Sequence, residues 1–187
     1  LTERKTSNEV NMNRMNLYPL ILGAVFILVL SSCSQNSAVR HLEEQNIALI
    51  KRIHSEISNG NIAIFDEVLA PDYVRHCQAM PPELWEINDN SVFKAFVADF
   101  LKAVPDCNDE IEFIIADSNM VTYVTTTTGT QTGPMGDLPP SGKKFMLKNI
   151  VIQRIEDGKV AETWISWDNV ALLTQLGFFP PPSAEKP

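Results

Sequence analysis

Histidine and cysteine are scarce in this chain, three of each in 187 residues. A metal centre needs three or four converging ligands; no spacing here supplies them, and so few cysteines also exclude a disulfide-rich scaffold. Basic residues are outnumbered, 15 against 23 acidic for a net charge of −8. Such a surface repels phosphate backbones and anionic headgroups, so nucleic acid is not an expected partner. Long apolar runs are missing too. The longest, Leu17 to Leu30, is 14 residues and contains Pro19 and Gly23, short of the roughly 20 that a hydrocarbon-spanning helix requires. The chain shows no internal repeat and no low-complexity core.

What is present begins with that apolar run. It follows Met12, Arg14 and Met15 and ends at Leu30-Ser31-Ser32-Cys33, which resembles the bacterial lipobox, where small residues give a peptidase access to the bond before a lipidated cysteine. The resemblance implies a signal peptide, a lipid anchor at Cys33, and a lipoprotein of the cell envelope, periplasmic or outer-membrane, that reaches its membrane through the lipid. An ordinary cleaved signal or a buried helix with an incidental cysteine is the alternative. The expected organisation is 1–32 as upstream residues and signal peptide, 33–38 as lipidated tether, 39–178 as one domain, and 179–187 as a Pro-rich tail. Before Cys33 lie Arg4, Lys5 and Arg14 against Glu3 and Glu9; 15 less 3 leaves 12 basic residues and 23 less 2 leaves 21 acidic ones, a net of −9 beyond the leader. Cys77 and Cys107 are either bonded to each other or two separate thiols.

Periodicity divides the domain into helices followed by strands. Leu42, Ile47, Leu49, Ile50, Ile53 and Ile57 recur at three- and four-residue steps, predicting an amphipathic helix from Val39 to Ser58 closed by Asn59-Gly60. A second helix is predicted over Ile62 to Leu69, an extended piece over Asp72 to His76, and a loop from Pro81-Pro82 to Asn90. A third helix is expected from Ser91 as N-cap to Pro105, with Phe93, Phe96, Val97, Phe100 and Leu101 on one side. Glu110 to Asp117, Val121 to Thr132, Lys144 to Glu156 and Lys159 to Asp168 are rich in β-branched and aromatic residues and read as four antiparallel strands, the last two joined by the turn Glu156-Asp157-Gly158-Lys159. A short helix from Val170 to Leu176 closes the domain. Helices first, then a sheet, give an α+β fold with a pocket between the helices and one sheet face.

Several segments carry a more specific likeness. They are Asn59-Gly60-Asn61 with Ile64-Phe65-Asp66-Glu67-Val68-Leu69-Ala70-Pro71-Asp72-Tyr73-Val74-Arg75-His76, then Gly129-Thr130-Gln131-Thr132-Gly133 running to Leu138-Pro139-Pro140-Ser141-Gly142-Lys143. Arg154-Ile155-Glu156-Asp157-Gly158-Lys159-Val160 follows, leading to Trp164 and Trp167-Asp168. In this order, across residues 40 to 178, they resemble the SnoaL-like polyketide cyclase group of the nuclear transport factor 2-like superfamily. The resemblance implies a cone-shaped α+β barrel, a homodimer formed through the sheet, and a cofactor-free intramolecular aldol reaction in which an acid/base group moves a proton at carbon. The matching acid/base group is Asp168, and His76 falls where relatives carry a pocket histidine.

Strand alternation puts Glu162, Trp164, Ser166 and Asp168 on one face and Ala161, Thr163, Ile165 and Trp167 on the other. If the first set faces the interior, Asp168 lies beside the Trp164 ring, where an apolar enclosure raises a carboxyl pKa toward the range useful for proton transfer. The competing role for Asp168 is to cap the final helix. His76 is expected either to polarise a substrate carbonyl or hold Asp168 in place, or to serve as a structural hydrogen-bonder at the end of its segment. Tyr73, Phe96, Phe100, Gln131 and Trp164 are the expected lining of a substrate pocket, with Phe93, Trp85 and Phe145 shared between core and wall. His41 and His54, in the first helix with no matched carboxylate, read as surface or packing residues. Gln131 and Val151 stand where many relatives have histidine or sit near one, which leaves Glu112, Tyr73, Tyr123 and Arg154 as groups that could assist proton transfer, each of which also reads as a sheet-surface or core residue. Three readings compete: an acid/base enzyme acting on a small hydrophobic carbonyl compound, a non-catalytic module that binds such a ligand, and an interaction scaffold that uses the outer face of the sheet as a dimer surface. Export favours the second, because polyketide intermediates are ordinarily held by cytoplasmic synthases.

Overall fold

A computed structural model describes the backbone of residues 17–179 and the side chains of residues 37–179. The side chains of Cys33, expected to accept a lipid, and of the expected leader, and the tail from Pro180 onward, lie outside the described residues. Two compact units are distinguished, residues 1–41 and 42–187.

The first helix, α1, runs Leu17–Ser58, not from Val39. Nothing between Ala24 and Asn59 is glycine or proline, so no residue interrupts the backbone ladder, and residues 33–38, expected to be a tether, are helical. Among the described residues no helix is long and apolar enough to cross a membrane.

In the second unit α2 (Ile64–Val68) is a single turn, and the chain becomes extended already at Leu69. Proline fixes its own φ and biases the preceding residue to extended backbone. Pro71 therefore sits inside β1 (Leu69–His76) instead of only ending a helix. A 3-10 turn (Pro82–Leu84) and a two-residue strand, β2 (Glu86–Ile87), occupy the expected loop. Helix α3 (Asn90–Ala103) is capped by Asp89, not Ser91, because the Asp89 carboxylate accepts from the amides of both Ser91 (2.7 Å) and Val92 (3.2 Å). Strands β3 (Asn108–Asp117), β4 (Met120–Thr130), β5 (Lys144–Glu156) and β6 (Lys159–Trp167) follow, then α4 (Asn169–Leu176). The β5–β6 hairpin turns through Asp157 (φ 49°) and Gly158 (φ 73°), the left-handed pair that matches the strands' twist.

The sheet has six strands in the order β2-β1-β6-β5-β4-β3. The four expected strands pair antiparallel, but β1 adds parallel to β6, with Arg75 opposite Thr163, and β2 pairs antiparallel outside it. The fold is thus α+β with N-terminal helices on a mixed sheet. One apolar cluster joins Ile50 and Ile53 of α1, Phe65 of α2 and Tyr73, Val121, Tyr123, Val151 and Val160 of the strands. A second joins Ala103 and Val104 with Phe145, Leu147, Leu172 and Leu176. These contacts define the helix-facing side of the sheet. A bulge between Ile111 and Phe113 changes which side β3 presents. Asp109, Ile111, Ile114 and Ala116 are partly buried, while Phe113 and Ile115 are exposed.

Candidate functional site

The expected pair, Asp168 and His76, is not brought together. Trp167 packs into the second apolar cluster, so the set facing the helices is Ala161, Thr163, Ile165 and Trp167, the reverse of the arrangement that would enclose Asp168. Asp168 is exposed, and its carboxylate accepts the Ala171 amide at 2.9 Å as the N-cap of α4. A carboxylate at a helix start satisfies an otherwise unpaired donor and complements the helix dipole. The apolar enclosure that would prepare it for proton transfer is absent.

His76 lies on the opposite side of β1 from the buried Tyr73 and Arg75. Its Nε2 is 2.8 Å from Glu162 Oε1, its Nδ1 is 3.7 Å from Glu86, and its ring stacks on Trp164 at 5.4 Å. Glu162 also accepts from Arg154 at 3.0 Å. Burial raises the Glu162 carboxyl, but the hydrogen bonds from His76 and Arg154 outweigh it and hold the group below its ordinary value. Trp164, 36% exposed, therefore belongs to an outer ion-pair cluster and lines no interior pocket. Glu112 is likewise exposed, paired with Lys148 and Thr126, and Trp85 is exposed instead of walling the core.

Four expected pocket residues do lie inward. The Tyr73 ring packs in the first cluster; burial pushes its phenol up to about 12 despite a hydrogen bond with Thr163. Phe96 lies under the Arg75 guanidinium at 5.1 Å, and Phe100 packs against the second cluster. Gln131 is fully buried, with its side chain committed to one loop. It donates to the carbonyls of Gly133 (3.2 Å) and Pro139 (3.1 Å) and accepts from the Ser141 amide (3.2 Å). The loop in turn docks on the end of α3, where the Thr132 and Gly133 amides donate to Ala103 O. A Cβ at Gly133 would stand 2.9 Å from the Ala103 Cα, so glycine is required by close approach. The Gly-Thr-Gln-Thr-Gly segment is a structural clasp.

The helix-facing side carries a different polar constellation. Along β4, Tyr123 of the first cluster is followed by buried Thr125 and Thr127; along β5, buried Asn149 stands between Val151 of the first cluster and Leu147 of the second. Asn149 Nδ2 donates to Thr125 (3.0 Å) and Thr127 (2.7 Å), and Thr127 Oγ1 donates to Asp109 Oδ1 at 2.5 Å. The other carboxylate oxygen, Oδ2, is 3.1 Å from Nδ1 of His54. The imidazole meets the Tyr123 ring edge-on at 5.2 Å. His54 and Asp109 side chains keep 17% and 29% of their surface exposed, so the pair is enclosed without being sealed. Burial raises the Asp109 carboxyl, yet hydrogen bonds from His54 and Thr127 and the imidazole charge carry it below the ordinary value. Burial, with Asp109 and Asp106 adding to it, raises the nearby Cys107 thiol to about 11, which keeps it un-ionised. Cys77 and Cys107 are both free.

His54, read from sequence as a surface or packing residue with no matched carboxylate, thus has one. The helical signal was available, since His54 sits one turn after Ile50 and one before Ile57. Its partner was not, because Asp109 precedes the expected start of β3 and approaches only through the tertiary fold. Among the described residues no group of His, Cys, Asp and Glu side chains is arranged to hold a metal ion.

The profile of the family described as SnoaL-like polyketide cyclase matches residues 48–176. The fold is similar to that of a Jannaschia sp. CCS1 protein assigned as a SnoaL-like polyketide cyclase, with 22% identity, TM-score 0.66, and coverage of 75% of this chain and 96% of the other. It is similar to IdmH of Streptomyces antibioticus, assigned as a polyketide cyclase, at 25% identity and TM-score 0.61 over 71% and 99% of the two chains. An LEH-like epoxide hydrolase of M. tuberculosis shares the fold at 13% identity and TM-score 0.57, over 72% and 90%. None of the curated proteins matches the chain.

Proposed function

Because the chain belongs to the SnoaL-like polyketide cyclase family, we propose that it is a cofactor-free acid/base catalyst for a small hydrophobic carbonyl compound. His54 transfers the proton and Asp109 positions it. The observation that carries this reading is the 3.1 Å His54–Asp109 contact, set in a hydroxyl and amide network between two apolar clusters. With Nδ1 turned to the carboxylate, Nε2 is the nitrogen left to exchange a proton. It takes the proton from the carbon next to a carbonyl, leaving an enolate. The enolate carbon attacks a second carbonyl of the same molecule, and the imidazolium returns the proton to the new alkoxide. The Asp109 carboxylate offsets the charge on the ring between these steps.

The test is deuterium uptake next to the carbonyl of 4-phenyl-2-butanone in D2O, followed by mass spectrometry. The wild-type protein accelerates uptake, and His54→Gln loses about 10²–10⁴-fold of that acceleration. Equal rates in the two proteins overturn the assignment of His54. A loss confined to Asp168→Asn returns the role to the capping aspartate. Retention of ketone by the wild-type protein without any acceleration leaves the binding-module reading.

The same reading places the protein in the cell envelope, anchored by lipid at Cys33, as a homodimer joined through the outer sheet face. Phe113, Ile115, Met146 and Ile150 are each more than half exposed there, and their rows are neighbours across β3, β4 and β5. An apolar surface of this kind is costly to leave in water. Intact-mass measurement on protein extracted from membranes with detergent reads both features at once: a lipid increment on the fragment beginning at Cys33, and a mass of two copies. An unmodified Cys33 sinks the anchor, and a monomer that persists at high concentration sinks the sheet dimer.

A further inference from the structure

Arg75 is 4% exposed and, among the described residues, has no carboxylate within ion-pair distance. The face of Phe96 lies 5.1 Å from the guanidinium carbon, and the guanidinium Nη1 is buried without a hydrogen-bond acceptor. A buried charge without a counter-ion is among the most costly arrangements a fold can hold, and cation–π contact offsets only a small part of that cost. With 4% of its surface exposed the side chain has little outlet to solvent, and among the described residues no acidic side chain closes an ion pair with it. The strand register places Arg75 opposite Thr163 of β6, and Thr163 opposite Gln153 of β5. In that row Gln153 Nε2 donates to Thr163 Oγ1 at 3.0 Å, while Gln153 Oε1 is buried and unpaired. An orphan donor with a full positive charge and an orphan acceptor therefore flank one threonine on the helix-facing side. Tyr73, whose phenol is hydrogen-bonded to the same threonine, supplies apolar surface beside them.

We propose that Arg75, with Thr163 and Gln153, is the receptor for a carboxylate carried by the ligand. Arginine's planar fork matches a carboxylate's two oxygens, and the Phe96 ring fixes the plane of the fork. Gln153 Oε1 takes a donor on the same ligand, such as a neighbouring hydroxyl. The ligand class is thereby narrowed from a hydrophobic carbonyl compound to one bearing an acid group. This rests on the reading of the helix-facing side as the ligand side. It does not depend on His54 being the catalyst.

The experiment compares 3-phenylpropanoate with its methyl ester, two ligands of one shape that differ by the charge, by calorimetric titration of the full chain. The wild-type protein binds the carboxylate at least about tenfold more tightly than the ester, and Arg75→Met, close in volume and uncharged, abolishes the preference. The same variant leaves the thermal midpoint unchanged or raises it, because it removes an uncompensated buried charge; a purely structural arginine would lower it. Arg75→Lys, which keeps the charge without the fork, retains a reduced preference and serves if the methionine variant fails to fold. Equal affinity for acid and ester in the wild-type protein overturns the proposal, as does a preference that survives in Arg75→Met. Because deuterium uptake uses a neutral ketone, the failure of the acid/base reading and the failure of this one are told apart.

Discussion

Phe65→Ala lowers the stability of the fold by about 3–5 kcal/mol, the range for emptying a buried phenylalanine site. Phe65 is 5% exposed and meets the Phe93 ring at 5.1 Å, edge to face. It belongs to α2, whose five residues are too few to hold a helix in water without tertiary support. Ile64, Phe65 and Val68 are its buried residues; Phe65 ties it to α3 through Phe93, beside the exposed Asp66–Lys94 ion pair. Collapse around the missing ring is limited, because the same cluster contains the sheet residues Val121, Val151 and Val160, which backbone pairing holds in place. Urea unfolding followed by circular dichroism reads the effect as a lower midpoint at unchanged slope. A loss under about 1 kcal/mol would show that α2 is not locked into the core.

Asp109→Asn lowers the deuterium-uptake rate by about 10²–10⁴-fold with little change in ketone affinity. The carboxylate accepts from His54 on one oxygen and from Thr127 on the other. An amide can present its NH2 to the ring instead, reversing the tautomer so that Nε2 carries the hydrogen and can no longer act as base. Folding stability responds as well. The native carboxyl lies below its ordinary value, so its contribution is present above the unfolded-state pKa and is lost as pH falls through the native one. In the asparagine variant that acid-side slope disappears. A rate unchanged by the substitution would remove Asp109 from the machinery, whatever its effect on stability.

Much of the fold was legible because short-range pattern and core burial agree. The limits of β5 are those read from its β-branched run, and the Asp157-Gly158 turn follows from the need for two left-handed residues. The errors are equally physical. From sequence β1 reads only as a short extended piece over Asp72 to His76, because its place beside β6 is a long-range parallel pairing. The sequence pattern points to Ser91 as N-cap, whereas Asp89, two residues earlier, accepts two amides at once. Strict alternation also fails within β3, where one bulge sends Phe113 and Ile115 outward while Asp109 and Ile111 stay inward.

The candidate site was harder to read. Family motifs led to Asp168 and His76, and the structure places one as an exposed helix cap and the other in an outer ion-pair cluster. Which parity of β6 faces the helices depends on Trp167 finding the second apolar cluster, and no local signal reports that. His54 was visible as a polar residue on an apolar helical stripe, but a lone histidine there is ordinarily a packed one; its meaning comes from a carboxylate on a distant strand.

The amino-acid sequence by itself determined the class of fold, the order of its elements and the family, because these depend on periodicity, turn chemistry and motif order, all of them local properties of the chain. Only the tertiary structure decided which charged groups meet. Ionic and hydrogen-bonded partners are chosen by strand register, by a bulge and by the side of the sheet a residue faces, and a shift of one residue in any of these exchanges inside for outside.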